Sequence, residues 1–394
     1  MNELQEDIQA TTLKLRFFYL DKLRIFLTIL VILQHAAIAY GGSGSWMIKE
    51  AASDTISPII FTLFNAINQS FFMATFFLLA GYFTPRSYEK KGPLKFVKDR
   101  LIRLGIPLAL YTPIIVPINM YIIQNFAVER ADRLTFLEIL QYQYTHFSIQ
   151  FGHLWFLLLL FIFVGIYIVF RVLTDRYFPQ KSIHMFRDKF PPNWVLFLCI
   201  ALLSFLIFAV RLVFPVDEWF FFVQFAHIVH YTFYFYCGVL AYRGDWFSRI
   251  SSSHARHWGI ISLITILLSP VILLLGGALE SGNYDVFKGG MTWQALTFAI
   301  CESILLIGIP IWLIYMFRER LTHHGRVNKA LAANVFTVYI IHQPVLIAFN
   351  VAFLYIAIPT VVKFIIVSLI TLPVCFLLSH FIFRKIPYAK RVLG

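Results

Sequence analysis

The chain has 394 residues, of which 59% are hydrophobic and 13% charged, about half the charged share of an ordinary soluble domain. With a mean hydropathy of +0.75 it is excluded from the soluble globular class, and the bilayer is its expected solvent. The net charge of +13 does not indicate nucleic acid, because the cations lie scattered in connections between apolar runs and no nucleic-acid motif accompanies them.

Residues 1–14 read as a polar cytoplasmic lead-in, and 15–394 as one multi-helix membrane domain. Crossing the hydrocarbon as a helix takes about 20 apolar residues. Ten runs approach that length, at about 18–40, 57–83, 103–123, 153–173, 194–214, 221–242, 257–278, 292–316, 332–355 and 358–384. They are continuous rather than alternating, which excludes an outer-membrane barrel. The predicted fold class is all-α integral membrane with about ten transmembrane helices. The first run has no small-residue cleavage site after it and reads as a retained helix.

Lysine and arginine in short connections set orientation. With the N-terminus inside, 27 of the 33 fall on the cytoplasmic side, so both termini are expected there (N-in and C-in). Anionic lipid and an anionic cytosolic cofactor are the expected partners. Lys363, inside the last run, is expected to snorkel to its outer end.

The first run carries ionisable groups, which are costly within a span and mark function by default. Arg24 and His35 are eleven residues apart, about 20° around a helix and about 16 Å along it. Asp21 shares that face but lies about 21 Å from His35, so no Asp–His hydrogen bond forms within the helix. The stripe places an acid and a base at the cytoplasmic mouth and a histidine near mid-bilayer, where a neutral imidazole can accept a hydroxyl proton. The alternative is a histidine bonded to a neighbouring helix and an interfacial ion pair.

GGSGSW at 41–46 has serines near glycines but lacks the strand-to-helix context of a nucleophile elbow, and is expected to be a flexible outer turn. Between the second and third runs, seven cations surround an amphipathic stretch in which Arg100 and Arg103 stand at i and i+3. Such a pair forms a clamp for a phosphorylated cofactor, although positive-inside topology accounts for much of the same charge. The connection 124–152, rich in Tyr and Gln, suits either an interfacial helix or a carbohydrate surface.

Farther on, His153 with Trp155, Glu302, and Tyr339 with His342 stand against the apolar grain, and His227 and His230 share a face. Glu302 is a carboxylate well inside a span, to be read as structurally bonded, as orienting the histidine or as binding substrate. Cys199, Cys237, Cys301 and Cys375 are dispersed with no ligand spacing, so neither a disulfide nor a metal is expected.

The order and placement of these features carry a resemblance. Arg24 and His35 with ten residues between them, Asp21 before them, the RxxR at Arg100 and Arg103, and the strings FFMATFFLLAGYF at 71–83, RLGIP at 103–107, GHLWFLLLL at 152–160 and TVYIIHQP at 337–344 together resemble the acyltransferase-3 family of membrane O-acyltransferases. That family includes glucan succinyltransferases and O-antigen and peptidoglycan O-acetyltransferases, and the similarity spans nearly the whole chain. The resemblance implies a multi-pass protein of the bacterial cytoplasmic membrane. It implies an acyl group, acetyl or succinyl-like, moved from cytosolic acyl-CoA, with acetyl-CoA the leading donor, to a hydroxyl of a cell-envelope glycan or similar acceptor.

In that reading Arg100 and Arg103, helped by Arg24, hold the coenzyme phosphates. His35 either deprotonates the acceptor or carries the acyl group transiently. His153, Trp155, Glu302 and His342 line the chamber. No hydrolase-like extension follows the last run, so a separate extracytoplasmic transferase would be another protein. The rival class is a transporter or flippase using the same stripe as a gate, which predicts flux without thioester cleavage. A purely structural protein predicts that His35→Ala is silent.

Overall fold

A computed structural model describes residues 18–128, 132–146, 149–177, 189–278, 284–321 and 325–393; the predicted lead-in at 1–14 lies outside them. Among the described residues helix is the only regular structure, apart from a single isolated bridge between Phe220 and Val223. Nine helical segments among the described residues are long and apolar enough to cross a membrane, in agreement with the predicted class. The sixth predicted run, 221–242, folds as a short turn at Phe225–His227 and a helix of 17 residues from Ile228. The aromatic stretch before it turns back on itself instead of joining the helix.

In chain order the long helices are α1 (Phe18–Ala39), α2 (Ile56–Lys91), α3 (Pro93–Phe126), α4 (Phe136–Thr145), α5 (Trp155–Tyr177), α6 (Asn193–Arg211), α7 (Ile228–Gly244), α8 (Ser252–Leu275), α9 (Trp293–Arg320), α10 (Arg326–Phe353) and α11 (Thr360–Phe381). α2 begins where Asp54 Oδ1 accepts from the backbone N–H of Ile56 and Ser57, at 3.0 and 2.7 Å. At 36 residues it is about 54 Å long. It therefore outruns the hydrocarbon and carries Arg86, Lys90 and Lys91 past its apolar part.

α3 is wound open. Wide π-turns occupy Leu101–Gly105 and Tyr111–Ile115, interleaved with Pro107, Pro113 and Pro117. Each proline removes a backbone donor and crowds the carbonyl one turn back, and π-turns of this kind concentrate at functional sites. The wider turn carries Arg103 farther around the axis from Arg100 than an α-helix would.

α1 is central, packed against α2, α9, α10 and α11. Two-thirds of the apolar window of α1 is buried, against 17% for α8, so α8 is peripheral and offers its apolar face to lipid. The tightest pairing, α2 on α7, is set by Gly81 and Gly238. A Cβ on Gly81 would lie 2.0 Å from the Phe235 carbonyl oxygen, and one on Gly238 would lie 2.1 Å from that of Leu78. In lipid, where apolar burial does not drive helices together, small residues that let backbones approach supply the packing.

The 124–152 connection contains α4, whose capping box joins Thr135 and Glu138, with Leu137, Tyr142 and Tyr144 exposed. This is the form an interfacial helix requires. Lys363 does not snorkel. It is buried, ion-paired with Glu50, and 3.3 Å from the Leu354 carbonyl oxygen.

Candidate active site

At the end of the bundle where the 41–55, 149–153, 216–224 and 284–288 segments gather, a cavity of about 690 Å³ opens among α1, α2, α5, α7 and α9. His35, His153, Trp155 and Glu302 line it, four of the sequence-predicted residues from three separate helical segments.

His342 stands directly behind His35. His35 Nδ1 lies 3.1 Å from His342 Nε2, and the two rings stack 5.2 Å apart at 12°. His342 Nδ1 lies 2.6 Å from the Tyr339 carbonyl oxygen, which only accepts, so that nitrogen carries the proton. In neutral rings the rest follows. His342 Nε2 is the acceptor, His35 Nδ1–H is the donor, and the lone pair of His35, itself a residue of the cavity wall, is on Nε2.

His153 packs edge-on against His342 at 4.5 Å, with Nδ1 2.9 Å from Gln343 Oε1 and Nε2 3.1 Å from the Ile340 carbonyl oxygen; both oxygens accept, so the neutral ring donates to one of them. Tyr339 donates to the His153 carbonyl, and Tyr111 donates to Gln343 Oε1. The histidines are therefore fixed by buried, mutually bonded groups, as a preorganised base requires.

The GGSGSW segment is built rather than loose. Gly44 has φ +133, and a Cβ there would come within 2.7 Å of Ile38 Cδ1. The turn lays Trp46 on His35, with ring centroids 4.5 Å apart and an interplanar angle of 22°. Glu50, three residues beyond Met47, ties this segment back, its N–H bonding the Ala39 carbonyl at 2.8 Å and its carboxylate pairing with Lys363. Ser53 N–H donates to Thr360 Oγ1 at 2.8 Å, a second tie to α11.

An amide ladder runs through the same wall. Asn68 donates to Gln34 Oε1 at 2.6 Å, Gln34 to Gln69 Oε1 at 2.9 Å, and Gln69 to the Tyr231 hydroxyl at 3.0 Å. Reading only ionisable groups missed these amides, although Gln34 beside His35 and the Asn68–Gln69 pair inside apolar runs were visible as buried hydrogen-bonding demands.

Asp21, Arg24, Arg100 and Arg103 are not in the cavity wall. Asp21 and Arg24 pair with one another at 3.5 Å, both more than a third exposed. Arg103 pairs with Asp99 at 3.3 Å, which also holds Lys91 at 2.9 Å. Arg100 lies 4.8 Å over the Phe96 ring, its buried Nε unpartnered. Glu302 does not bond His35; its carboxylate forms an ion pair with Arg211.

Glucans biosynthesis protein C of Escherichia coli strain K12 is 25% identical to the chain over 346 residues, covering 85% of this chain and 83% of that protein. The proteins of the same name from E. coli O81 strain ED1a and O9:H4 strain HS match to the same extent. No solved structure matches. The acyltransferase-3 family, described as an acyltransferase domain, matches residues 17–380, and the chain therefore belongs to that family and is a multi-pass membrane acyltransferase.

Proposed function

We propose that the protein transfers an acyl group from cytosolic acyl-CoA, acetyl-CoA foremost, to a hydroxyl of a cell-envelope glycan or similar acceptor, in the bacterial cytoplasmic membrane. The observation that carries this reading is the His342–His35 pair, which puts the lone pair of His35 on Nε2, His35 being a residue of the wall of a cavity large enough for a sugar. In the transfer, the acceptor hydroxyl proton passes to His35 Nε2 while its oxygen bonds the thioester carbonyl carbon. The C–S bond then breaks, and the coenzyme thiolate takes the proton back from His35.

The sidedness follows from charge. The segments that rim the cavity are poor in lysine and arginine, and the basic ones, with Arg24, Arg100 and Arg103, lie toward the other end of α1 and α3. Under the positive-inside rule the basic end faces the cytoplasm, so coenzyme phosphates meet cations there while the acceptor enters opposite. Arg100 and Arg103 are assigned to the phosphates, with Arg24 at the mouth and Asp21 orienting it. The thioester arm spans the roughly 16 Å of α1 between Arg24 and His35.

In sealed vesicles with the basic loops outward, external acetyl-CoA is expected to be consumed as acceptor enclosed in the lumen is esterified. Equal turnover with acetyl-CoA supplied only from the lumen would overturn the assignment of sides.

A further inference from the structure

A second polar cluster shares the cavity wall with His35. Glu302 and His227 both line the cavity, and both are almost fully buried. Behind them Arg211, the last residue of α6 and itself fully buried, forms an ion pair with Glu302 and places Nη2 3.3 Å from His227 Nδ1. Its guanidinium also lies 5.3 Å over the Phe298 ring.

A guanidinium donates and never accepts. His227 Nδ1 is therefore the acceptor, and the ring proton of neutral His227 is on Nε2. Arg211 thus fixes a donor, His227 Nε2–H, on a residue that shares the cavity wall with an acceptor, the Glu302 carboxylate, and one ring nitrogen of His227 lies within 4.8 Å of a Glu302 carboxylate oxygen. The Trp155 and Tyr231 rings, 5.1 Å apart, line the same cavity.

His230 joins His227 and Glu302 in a spacing that suits a divalent cation. Arg211 argues against one, because its positive charge already occupies the position between the carboxylate and the imidazole, and a second cation would stand against it.

We infer that His227 and Glu302, set by Arg211, form a subsite for a vicinal diol of the acceptor, one hydroxyl donating to Glu302 and its neighbour accepting from His227 Nε2–H. This rests on the reading that the acceptor is hydroxylated. A fixed donor beside a fixed acceptor matches two adjacent hydroxyls of one ring, while the aromatic faces cover its apolar side. Such a site rejects an analogue lacking one hydroxyl, because a buried polar group is then left unpaired.

The test is binding of methyl glucoside and its monodeoxy analogues to the full chain in lipid, followed by tryptophan fluorescence, which needs no turnover. The wild type is expected to prefer the glucoside over one deoxy analogue by about tenfold. His227→Phe and Glu302→Gln are each expected to abolish that preference while the variants remain monodisperse and folded. Equal binding of all analogues by the wild type would overturn the inference, as would a stoichiometric divalent metal that His227→Phe removes. Loss of donor-only thiol release in both folded variants, with sugar preference retained, would instead place the pair in the chemistry. Absence of His35-dependent thiol release in the wild type would count against the proposed function and leave the binding result to stand or fall separately.

Discussion

His35 and His342 meet nitrogen to nitrogen at 3.1 Å with nearly parallel rings, and the carbonyl of Tyr339, one turn back along α10, decides which nitrogen of the pair is basic. A backbone carbonyl here does what a carboxylate does in a hydrolase triad, orienting the imidazole without placing a charge in the membrane interior. His35→Ala is expected to lower acceptor-dependent thiol release by about 10²–10⁴-fold.

His342→Phe keeps the ring stack but removes the acceptor for His35 Nδ1–H. We expect kcat to fall by roughly 10–100-fold, the range for an orienting partner, with KM for acetyl-CoA little changed. Steady-state thiol release checks this; an unchanged kcat would show that His342 only fills space.

The Glu50–Lys363 pair tethers the segment that lays Trp46 over His35. Lys363→Met leaves Glu50 facing a buried position without its partner, a change that costs about 3–5 kcal/mol when both groups are fully buried. A quarter of the Glu50 side chain is exposed, so the lower end or less, about 2–3 kcal/mol, is expected after allowing for solvent screening. Thermal unfolding in detergent measures it, and the double variant Lys363→Met with Glu50→Leu is expected to recover most of the loss.

Gly81 and Gly238 allow α2 and α7 to touch backbone to backbone. Gly81→Leu is expected to separate these helices or block folding, because the nearest atom to the new side chain is a carbonyl oxygen that does not yield. The fraction of monodisperse protein after extraction reports it, and Gly105→Leu, with open space around its Cβ, is the matched control.

Asp54 caps α2 from outside the membrane span. Hydrogen bonds from the Ser57 hydroxyl first, then the backbone N–H of Ser57 and Ile56, hold its carboxyl below the usual range. A carboxyl depressed by folding stabilises above its unfolded pKa, near 3.9, and loses that contribution as pH falls through the lower folded value. Amide exchange at Ile56 and Ser57 is therefore expected to be slower than in Asp54→Asn at neutral pH, with the difference vanishing in strong acid.

The helical class and most span positions were legible because lipid makes length and continuity of apolar runs decisive. His35, His153, Trp155 and Glu302 were legible as polar groups against that grain, and the cavity does bring them together. The role of Trp46 was not, because it depends on the positive φ that glycine adopts freely at Gly44 and on ties from Glu50 and Ser53 to a helix some 300 residues away in sequence. Nor was the partner of Glu302. Arg211 reads as a terminal cation of its run, and only the packing of α6 against α9 turns it inward.

The most direct test of the account is paired counting of coenzyme A thiol and acylated acceptor, using purified protein in lipid with acetyl-CoA and an envelope glycan fraction, for wild type, His35→Ala and Arg103→Ala. Equal amounts of the two products from wild type, lost in both folded variants, are the predicted result. Acylated acceptor formed undiminished by His35→Ala would contradict it.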